Sequence, residues 1–355
     1  MAHSDPPRFT RAAVLVETGR PLEIMELRLP DLKPGQVMVE MEYAGVCHTQ
    51  LHEIRGRRGV DRFLPHTLGH EGSGTVLACG EGVHKVKPGD RAVLTWIKGE
   101  GADVPSSIYQ GESVTVNSGA ISTFMTVTVT CENRLVPVTH DKLPTRDAAL
   151  LGCAVPTGAG VIENTADVAP GAAVAIFGCG GIGMSAILAA AMRKAAVVIA
   201  IDVVADKLAA AAAAGATHAI NAAGEDPVAR IMEITEGRGV DIALEAIGRP
   251  DTMEAAYASV AYGGGVCVLA GNVAYGEKIC LDPFDLIKGR RIVGTWGGET
   301  NPDRDLPRYA EMYVKGTLPF GQLVSHEWSL QDINTAFDEL EAGRVSRALI
   351  RLKTG

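Results

Sequence analysis

Four residues from three distant parts of the chain carry side chains that could hold and assist a metal ion: Cys47, His70, Glu71 and Cys153. Two thiolates and one imidazole form one of the known ligand sets of catalytic zinc, which leaves a fourth position for water or substrate. Zinc in such a site acts as a Lewis acid and lowers the pKa of a bound hydroxyl group. The spacing matches no short zinc-finger pattern, so a buried structural thiol remains the alternative reading of Cys153.

A second pattern with chemical meaning follows the apolar run Ala172–Phe177. The run has the length of a strand that is buried on both faces. It leads into a segment that fits G-x-G-x-x-G and opens an Ala-rich, proline-free stretch, where the glycines permit a tight turn and let a pyrophosphate approach bare backbone. Close packing of a helix on a strand produces similar turns, which is the alternative. We predict a dinucleotide site at Gly178, Gly180, Gly181, Ile182 and Gly183.

The choice of dinucleotide depends on the end of the next apolar run, Val197–Ile201, which is followed by Asp202. An acid about 20 residues beyond the last glycine accepts hydrogen bonds from the adenosine ribose. Val203 and Val204 follow it, so no arginine stands there to neutralise a 2′-phosphate, which Asp202 would repel. The sequence therefore predicts NAD rather than NADP.

The remaining pattern predicts the fold class. Further strand-like runs at 240–245 and 265–270 alternate with helical stretches such as 207–214, which indicates βαβ units. The fold class is therefore α/β, with a doubly wound parallel sheet of the Rossmann type. Because 355 residues exceed the usual limit for one hydrophobic core, we expect two domains.

Composition excludes several classes of function. A formal net charge of -9 argues against a nucleic-acid partner. No apolar run approaches the roughly 18 residues of a membrane span, and the start of the chain lacks the order of a signal peptide. We therefore expect a cytoplasmic protein without membrane contact, whose seven cysteines are reduced. The cysteines outside the proposed metal site mostly lie in apolar or strand-like contexts, which favours inert buried thiols: Cys79, Cys131, Cys179, Cys267 and Cys280.

At this point the sequence resembles a known family. The segments Gly45–Thr49 and Gly69–Gly72, followed by the glycine-rich turn, closely resemble those of the zinc-dependent medium-chain alcohol dehydrogenases. The resemblance runs from about Thr10 to the C-terminus. The segments Glu245–Met253 and Gly343–Arg347 look like the branch that contains the animal-type and glutathione-dependent formaldehyde enzymes.

The resemblance implies an organisation of the chain. A β-rich GroES-like catalytic domain would occupy residues 1–154 and be completed by 298–355, and an NAD-binding Rossmann domain would occupy 155–297. The active site would lie in the cleft beyond the carboxyl ends of the parallel strands. A homodimer or a homotetramer is also implied.

Roles in the reaction follow for single residues. Cys47, His70 and Cys153 match the catalytic zinc ligands, and Glu71 matches the acid beside the metal. The implied reaction transfers a hydride between NAD and an alcohol, or the corresponding aldehyde or ketone, with the alcohol activated as an alkoxide by the zinc.

The implied proton relay and cofactor contacts involve other positions. Thr49 matches the hydroxyl that accepts the substrate proton, and His52 matches the imidazole at the solvent end of the relay; a surface histidine is the alternative for His52. The cofactor contacts lie at four positions: Asp202 and Lys207 match contacts to the adenosine ribose, Arg347 matches a pyrophosphate contact, and His48 stands where many relatives carry arginine for that purpose.

Two departures from the family pattern concern zinc. Gln50 stands where relatives carry an aspartate that orients the ligand imidazole, and a neutral amide cannot raise the basicity of that ligand as a carboxylate does. We expect weaker metal retention than in a relative with aspartate. The four closely spaced cysteines of the structural zinc lobe are missing after Leu94, so we expect one catalytic zinc per subunit and no structural zinc.

Two features concern the substrate. Trp96 matches a position that lines the substrate pocket, although a tryptophan after a strand is often part of the core. Arg57 and Arg58 lie in a basic loop, where they either form a solvated surface or bind an anionic group of the substrate.

Two rival functions remain open from the sequence. The first is a zinc-free NADPH quinone or enoyl reductase of the same superfamily, which would need neither Cys47 nor His70. Asp202 argues against it, because its carboxylate would repel the 2′-phosphate of NADPH. A non-catalytic dinucleotide-binding protein is the second.

Overall fold

The computed structural model describes residues 6–353. The signal-peptide prediction concerns the start of the chain, of which residues 1–5 lie outside the described residues. The chain divides into two compact units. The first extends to Cys153 and includes Asn301–Gly316 and the segment from Val324 onward; the second comprises Ala154–Thr300 and Thr317–Leu323. The functional domain boundaries at 154–155 and 297–298 remain predictions.

Strands supply most of the regular secondary structure of the first unit and the central layer of the second. In chain order they are β1 (Phe9–Leu15), β2 (Glu23–Arg28), β3 (Gln36–Val46), β4 (His66–Thr67), β5 (Glu71–Cys79), β6 (Arg91–Thr95), β7 (Ile108–Gln110), β8 (Thr115–Asn117), β9 (Val127–Cys131), β10 (Leu135–Pro137), β11 (Ala173–Phe177), β12 (Val197–Asp202), β13 (His218–Asn221), β14 (Ile242–Glu245), β15 (Val266–Leu269), β16 (Arg291–Gly294), β17 (His326–Ser329) and β18 (Ala348–Arg351).

The helices are α1 (His48–Ile54), α2 (Thr145–Ala148), α3 (Ala154–Gly160), α4 (Gly181–Met192), α5 (Ala205–Ala213), α6 (Pro227–Ile234), α7 (Pro250–Ser259), α8 (Pro283–Ile287), α9 (Pro302–Val314) and α10 (Ile333–Glu341). Several begin at a proline, which fits the first helical position, and Asp226 and Asn301 cap the backbone N–H groups of α6 and α9. None of the helices between residues 6 and 353 is long and apolar enough to cross a membrane.

The first unit contains a closed barrel in the order β1-β2-β7-β8-β4 and a seven-stranded sheet. The sheet has the order β10-β6-β5-β3-β18-β17, and β9 also pairs with β3. Alternate residues of β3, including Val37, Val39 and Met41, are buried in its core. Met38, which lies between Val37 and Val39, is also buried but belongs to a separate core cluster, so this part of β3 is covered on both faces.

The register of this sheet brings distant parts of the sequence together. Antiparallel pairing places Ala44 opposite Gly72, so the end of β3 lies beside the start of β5. Pairing of Ala348 with Val46 brings the start of β18 to the same place. Glu71 also pairs with Thr95, which brings the end of β6 alongside. Four chain segments therefore meet at one end of the sheet.

The second unit confirms the predicted fold class. Its sheet is six-stranded and parallel throughout, in the order β13-β12-β11-β14-β15-β16. Every residue of β11 is buried, as expected for a strand covered on both faces. From β11 the chain adds strands first on one side and then, from β14, on the other. The strand order thus reverses between β11 and β14, and ligands of such sheets bind at the carboxyl ends of the two strands that flank this point.

Candidate active site

The three candidate metal ligands come from three separate segments of the first unit. Cys47 follows β3 and occupies the N-cap position of α1, and His70 directly precedes β5. Cys153 follows the 3-10 turn Ala149–Gly152. A side chain at Gly152 would collide with Glu71, so the close approach of this turn to β5 requires a glycine there.

The ligand atoms of Cys47, His70 and Cys153 all lie within 4.8 Å of one another. Two sulfur atoms and one imidazole nitrogen at this separation can share one ion. Thiolate and imidazole ligands suit zinc, and three protein ligands are the number that catalytic zinc sites use. The donor set therefore fits the metal.

The imidazole of His70 supports this fit independently. Its Nε2 atom is buried and has no hydrogen-bond partner. A buried ring nitrogen without a partner costs free energy, and metal coordination is one way to satisfy it. The other ring nitrogen, Nδ1, contacts the Gln50 side-chain amide, whose Oε1 atom is also buried without a partner.

The two cysteines titrate in opposite directions. A hydrogen bond from Cys153 is the main reason that the pKa of Cys47 lies well below its usual value. The same bond, together with burial, raises the pKa of Cys153 well above its usual value. A divalent cation ligated by both sulfurs would favour the thiolate form of each.

Glu71 and Arg347 form a buried ion pair beside this site. Glu71 is fully buried and Arg347 is 5% exposed, and one guanidinium nitrogen pairs with Glu71 Oε1. The other terminal nitrogen donates to the carbonyl oxygen of Val46 at 3.1 Å. Burial raises the pKa of Glu71, and the charge of Arg347 opposes that rise. The pyrophosphate contact assigned to Arg347 by resemblance remains a prediction.

Helix α1 positions the residues of the predicted proton relay. It begins at His48, which is exposed, and Thr49 is half-buried in the same first turn. The Cys47 Sγ atom lies 3.8 Å from Thr49 Oγ1, so the hydroxyl borders the candidate metal site. His52 is three residues beyond Thr49 and therefore lies on the same helix face.

Trp96 lies next to His70 rather than in a distant part of the core. It follows β6, and its ring is 6.4 Å from the imidazole with the planes at 67°. The half-buried indole therefore borders the metal-ligand cluster, and the pocket-lining role remains a prediction.

The two arginines considered for anion binding both form ion pairs within the first unit. Arg57 Nη2 lies 2.5 Å from Glu341 Oε1, and Arg58 Nη1 lies 3.0 Å from Glu53 Oε1. Arg55 joins the same network through Glu341 at 2.8 Å. These contacts support the surface interpretation of the basic loop, while the anion-binding hypothesis stays untested.

The predicted dinucleotide turn has the required shape. Gly178 directly follows β11 and has a φ of +95°, a conformation that favours glycine. Gly180 is the N-cap residue of α4, which starts at Gly181 and continues through Ile182 and Gly183. A Cβ at Gly183 would overlap the carbonyl oxygen of Gly178, so this glycine is needed for packing, whereas a Cβ at Gly180 would meet nothing within 4 Å.

Asp202 lies against this turn at the end of β12. Its Oδ2 atom accepts from the backbone N–H of Cys179 at 2.8 Å, and Oδ1 accepts from Val203 and Val204 at 2.8 and 3.0 Å. The carboxylate is therefore held in place, with lone pairs left for ribose hydroxyls. Lys207 lies in the first turn of α5. Burial raises the pKa of Cys179 to about 12, and the charge of Lys207 opposes that rise.

Sequence reasoning missed two side chains. Glu245, which ends β14, is fully buried and binds its own following loop. Glu132 is 4% exposed and binds the backbone of two loops. The available signal in both cases was a carboxylate at the end of an apolar strand, a position where an acid needs partners.

Comparison with known proteins agrees with the geometry. Residues 33–140 match the family model of the alcohol dehydrogenase GroES-like domain. Residues 181–315 match the model of zinc-binding dehydrogenases.

Relatives and solved structures extend the match over nearly the whole chain. The chain is 35% identical to S-(hydroxymethyl)glutathione dehydrogenase of Synechocystis sp., over 96% of this chain and 99% of the relative. The Escherichia coli enzyme of the same name is 34% identical with the same coverage.

A zinc-binding alcohol dehydrogenase domain protein from Burkholderia ambifaria superposes with a TM-score of 0.90 and 32% identity, covering 98% of this chain and 100% of that chain. Benzyl alcohol dehydrogenase from Acinetobacter calcoaceticus gives a TM-score of 0.88 and 30% identity, with the same coverage. The chain therefore belongs to the zinc-dependent medium-chain alcohol dehydrogenase family and is an oxidoreductase of that family.

Proposed function

We propose that this protein is an NAD-dependent alcohol dehydrogenase that holds one catalytic zinc at Cys47, His70 and Cys153. The observation that carries the proposal is the convergence of three ligand atoms within 4.8 Å, one of them a buried imidazole nitrogen without a partner. Bound zinc would supply Lewis acidity, which lowers the pKa of an alcohol so that it loses its proton near neutral pH.

The chain's own residues would then place the substrate and move its proton. Thr49 borders the site through its contact with Cys47, so its hydroxyl would accept the proton of the alcohol. His52 lies on the same face of α1 and would pass the proton outward, because its reference pKa near 6.5 suits exchange with solvent. Glu71, held by Arg347, contributes negative charge beside the ligands.

NAD is proposed as the cofactor because of the carboxylate of Asp202. Three backbone N–H groups fix Asp202 beside the glycine-rich turn. A carboxylate there accepts hydrogen bonds from the ribose hydroxyls of NAD and repels the 2′-phosphate of NADP. Lys207 would add a ribose contact, and His48 and Arg347 would contact the pyrophosphate.

A single zinc per subunit is the second part of the proposal. Among residues 6–353, Cys47, His70 and Cys153 form the one group of three or more such ligands close enough to hold an ion. The loop after Leu94 is held by Glu132, which accepts from the backbone of Ala102 in this loop at 3.0 Å and from the backbone of His84, before β6, at 2.6 Å. This arrangement gives the loop an anchor that needs no second metal.

The substrate is proposed to be a small alcohol, or the corresponding aldehyde or ketone. Trp96 borders His70 and would limit the width of the pocket, which suits a flat or narrow substrate. Arg57 and Arg58 are exposed, and an anionic substrate group would have to compete with Glu341 and Glu53 for them.

We further propose assembly as a homodimer or a homotetramer. The strand β16 is an edge of the parallel sheet, and Ile287 and Trp296 nearby are each 77% exposed. Unpaired edges and exposed apolar side chains are features that a second copy can cover. Sedimentation analysis of the purified protein tests this assembly.

The test combines metal analysis with steady-state kinetics. We expect one zinc per chain and reduction of NAD, in preference to NADP, with a panel that includes benzyl alcohol, S-(hydroxymethyl)glutathione and short aliphatic and acid-bearing alcohols. Cys47→Ser should lose both zinc and turnover. Cys79→Ser is the control, because Cys79 is half-buried and donates to Val86 O outside the ligand cluster.

Three results would contradict the proposal in different ways. Turnover of quinones or enoyl compounds with NADPH by a zinc-free preparation would favour the reductase alternative. Dinucleotide binding without turnover of any alcohol or carbonyl compound would favour a non-catalytic protein. Two zinc ions per chain would overturn only the single-zinc part.

A further inference from the structure

Glu245 lies at the place in the second unit where the proposed dinucleotide site must form. It is the last residue of β14 and pairs in register with Phe177, the last residue of β11. These are the two strands between which the strand order reverses. The loops that follow them therefore border the crevice where ligands of this sheet type bind.

The Glu245 side chain points back into the protein and binds the loop that follows it. Its Oε1 atom accepts from the backbone N–H of Ile247 at 3.0 Å and of Gly248 at 2.8 Å. The same atom accepts from the Thr252 hydroxyl at 2.8 Å, in the first turn of α7. Glu245 is fully buried, and its Oε2 atom has no hydrogen-bond partner. All three donors converge on one oxygen, which fixes the course of residues 246–249.

The backbone of this loop packs closely against its neighbours on both sides. Ile247 lies so close to the glycine-rich turn that a Cβ at Gly178 would be 2.6 Å from its Cγ1 atom. On the other side, a Cβ at Gly248 would be 2.8 Å from the backbone nitrogen of Asn272 in the connection after β15.

The main chain of Glu245 is tied to the same connection. Its carbonyl oxygen accepts from Ala270 at 2.9 Å and from Gly271 at 3.0 Å. The neighbouring Ala246 N–H donates to Phe177 O at 2.9 Å. Glu245 and Ala246 thus connect the ends of β11, β14 and β15.

We propose that Glu245 is a positioning residue for the dinucleotide, which acts by holding the loop 246–249 in register with the glycine-rich turn. It touches no reacting atom. When Oε1 no longer accepts these bonds, the loop and with it the Gly178 turn lose their fixed position. A displacement of about 1 Å in the positioning of bound groups can lower the rate of a catalysed reaction by about 100-fold. The inference rests on the proposed use of a dinucleotide.

The role is one of hydrogen-bond acceptance, which predicts the pattern of variants. Glu245→Gln keeps an acceptor oxygen of the same reach and should change the Kd of NAD by less than about 3-fold. In free energy, this is less than the net contribution of one typical hydrogen bond. Glu245→Leu removes the acceptor and leaves the backbone N–H groups of Ile247 and Gly248 unsatisfied. Its Kd for NAD should rise by at least about 10-fold.

A matched control separates positioning from general stability. Ser259 is equally buried and also belongs to α7, but its hydroxyl donates to Ala255 O at the other end of that helix. Ser259→Ala should lower the melting temperature and leave the Kd of NAD unchanged. If Glu245→Leu does not fold, Thr252→Val can be used, which removes one of the three donors. It should raise the Kd of NAD by about 3-fold, which is half of the 10-fold effect on a logarithmic scale.

The experiment measures NAD binding by fluorescence titration, with the melting temperature, the zinc content and the KM and kcat of each zinc-loaded variant. Weaker NAD binding in Glu245→Leu or Thr252→Val, near-complete rescue by Gln and no change in Ser259→Ala would support the inference. Zinc content should stay constant, because the three ligands lie in the other unit.

Two outcomes would overturn it. Unchanged NAD binding in Glu245→Leu, or in Thr252→Val where the former does not fold, would show that the loop does not position the cofactor. An equal loss in Ser259→Ala would show that only stability is involved. A wild-type protein that binds neither NAD nor NADP would overturn the proposed function as well, and that result is distinct from the other two.

Discussion

The candidate metal site and the glycine-rich turn achieve specificity by opposite means. The metal site consists of side-chain atoms: two sulfurs, an imidazole and a buried carboxylate–guanidinium pair. The turn consists of backbone atoms. Its glycines are needed because they carry no side chain that would fill the space beside the backbone. Cys47, His70 and Cys153 are 23 and 83 residues apart in sequence, whereas the turn occupies one continuous segment from Gly178 to Gly183.

This difference predicts how each region fails. The metal site fails when an atom is removed, because each ligand has one role and no neighbour can replace it. The turn fails when an atom is added, because a Cβ either overlaps existing backbone or occupies the space of the ligand. Substitutions chosen on this basis should separate loss of metal, loss of fold and loss of cofactor.

The largest effect is expected from removing a metal ligand. Cys47→Ser or His70→Ala should abolish stable zinc binding and lower kcat/KM by more than about 100-fold. Replacing a residue that only hydrogen-bonds to a metal ligand already lowers metal affinity or activity by about 10- to 100-fold, and loss of the ligand itself should cost more. Metal analysis after gel filtration, together with kinetics, checks this. Retention of both zinc and turnover in either variant would remove the residue from the ligand set.

Adding one carbon atom to the turn should give two different results at two glycines. Gly183→Ala forces a Cβ against the Gly178 carbonyl and should cost about 1–3 kcal/mol of stability. Gly180→Ala meets nothing within 4 Å and should keep the wild-type melting temperature while weakening NAD binding, because the Cβ obstructs the approach of the pyrophosphate.

Thermal melts and NAD titrations of the two glycine variants form the test. Equal melting temperatures would contradict the packing role of Gly183. Unchanged NAD affinity in Gly180→Ala would contradict its place in the dinucleotide site.

A smaller effect is expected from restoring charge behind the metal ligand. Gln50 contacts His70 Nδ1, and Glu has the same reach with a negative charge that raises the basicity of the imidazole. Gln50→Glu should therefore slow the loss of zinc to a chelator by about 10-fold. Gln50→Leu, which cannot hydrogen bond, should speed it. Identical rates for all three proteins would show that this contact does not affect the metal.

The smallest effect concerns the loop that is proposed to need no structural zinc. Burial acts to raise the pKa of Glu132, but backbone hydrogen bonds from His84, Ala102 and Lys85 outweigh it and leave the pKa lowered. The folded state therefore favours the carboxylate, and this stabilisation is present above the usual value of 4.5 and is lost as the pH falls through the lowered value.

Glu132→Gln should consequently cost about 1–2 kcal/mol at pH 7, as expected for weakening hydrogen bonds to a charged group. The difference from wild type should shrink as the pH falls below 4.5. Denaturant unfolding at several pH values measures it. A difference that is constant with pH would show that the charge of Glu132 does not contribute.

The features that were predictable from sequence are those carried by local patterns. The buried run before Gly178, the turn itself and the acid at Asp202 depend on residues close in sequence, and the structure contains the predicted strand, turn and second strand in that order. The candidate metal ligands were identified through family resemblance, because their convergence depends on the register of β3, β5 and β18, which no local pattern specifies.

Contacts between distant residues were not predictable in the same way. The pairing of Arg347 with Glu71 joins residues 276 positions apart, and the binding of Arg57 by Glu341 joins residues 284 apart. Sequence patterns report the polarity of such residues and not their partners. Glu245 and Glu132 were missed for the same reason, since their importance lies in backbone donors brought to them by the fold.

The central claim is that two sulfurs and one imidazole of the first unit share a single zinc ion. X-ray absorption spectroscopy at the zinc edge of the purified, active enzyme tests it most directly. The account predicts one zinc per chain with two sulfur ligands near 2.3 Å and nitrogen or oxygen ligands near 2.0–2.1 Å, roughly the distances of protein zinc sites. A fully active preparation without zinc, or a zinc ion without sulfur ligands, would contradict it.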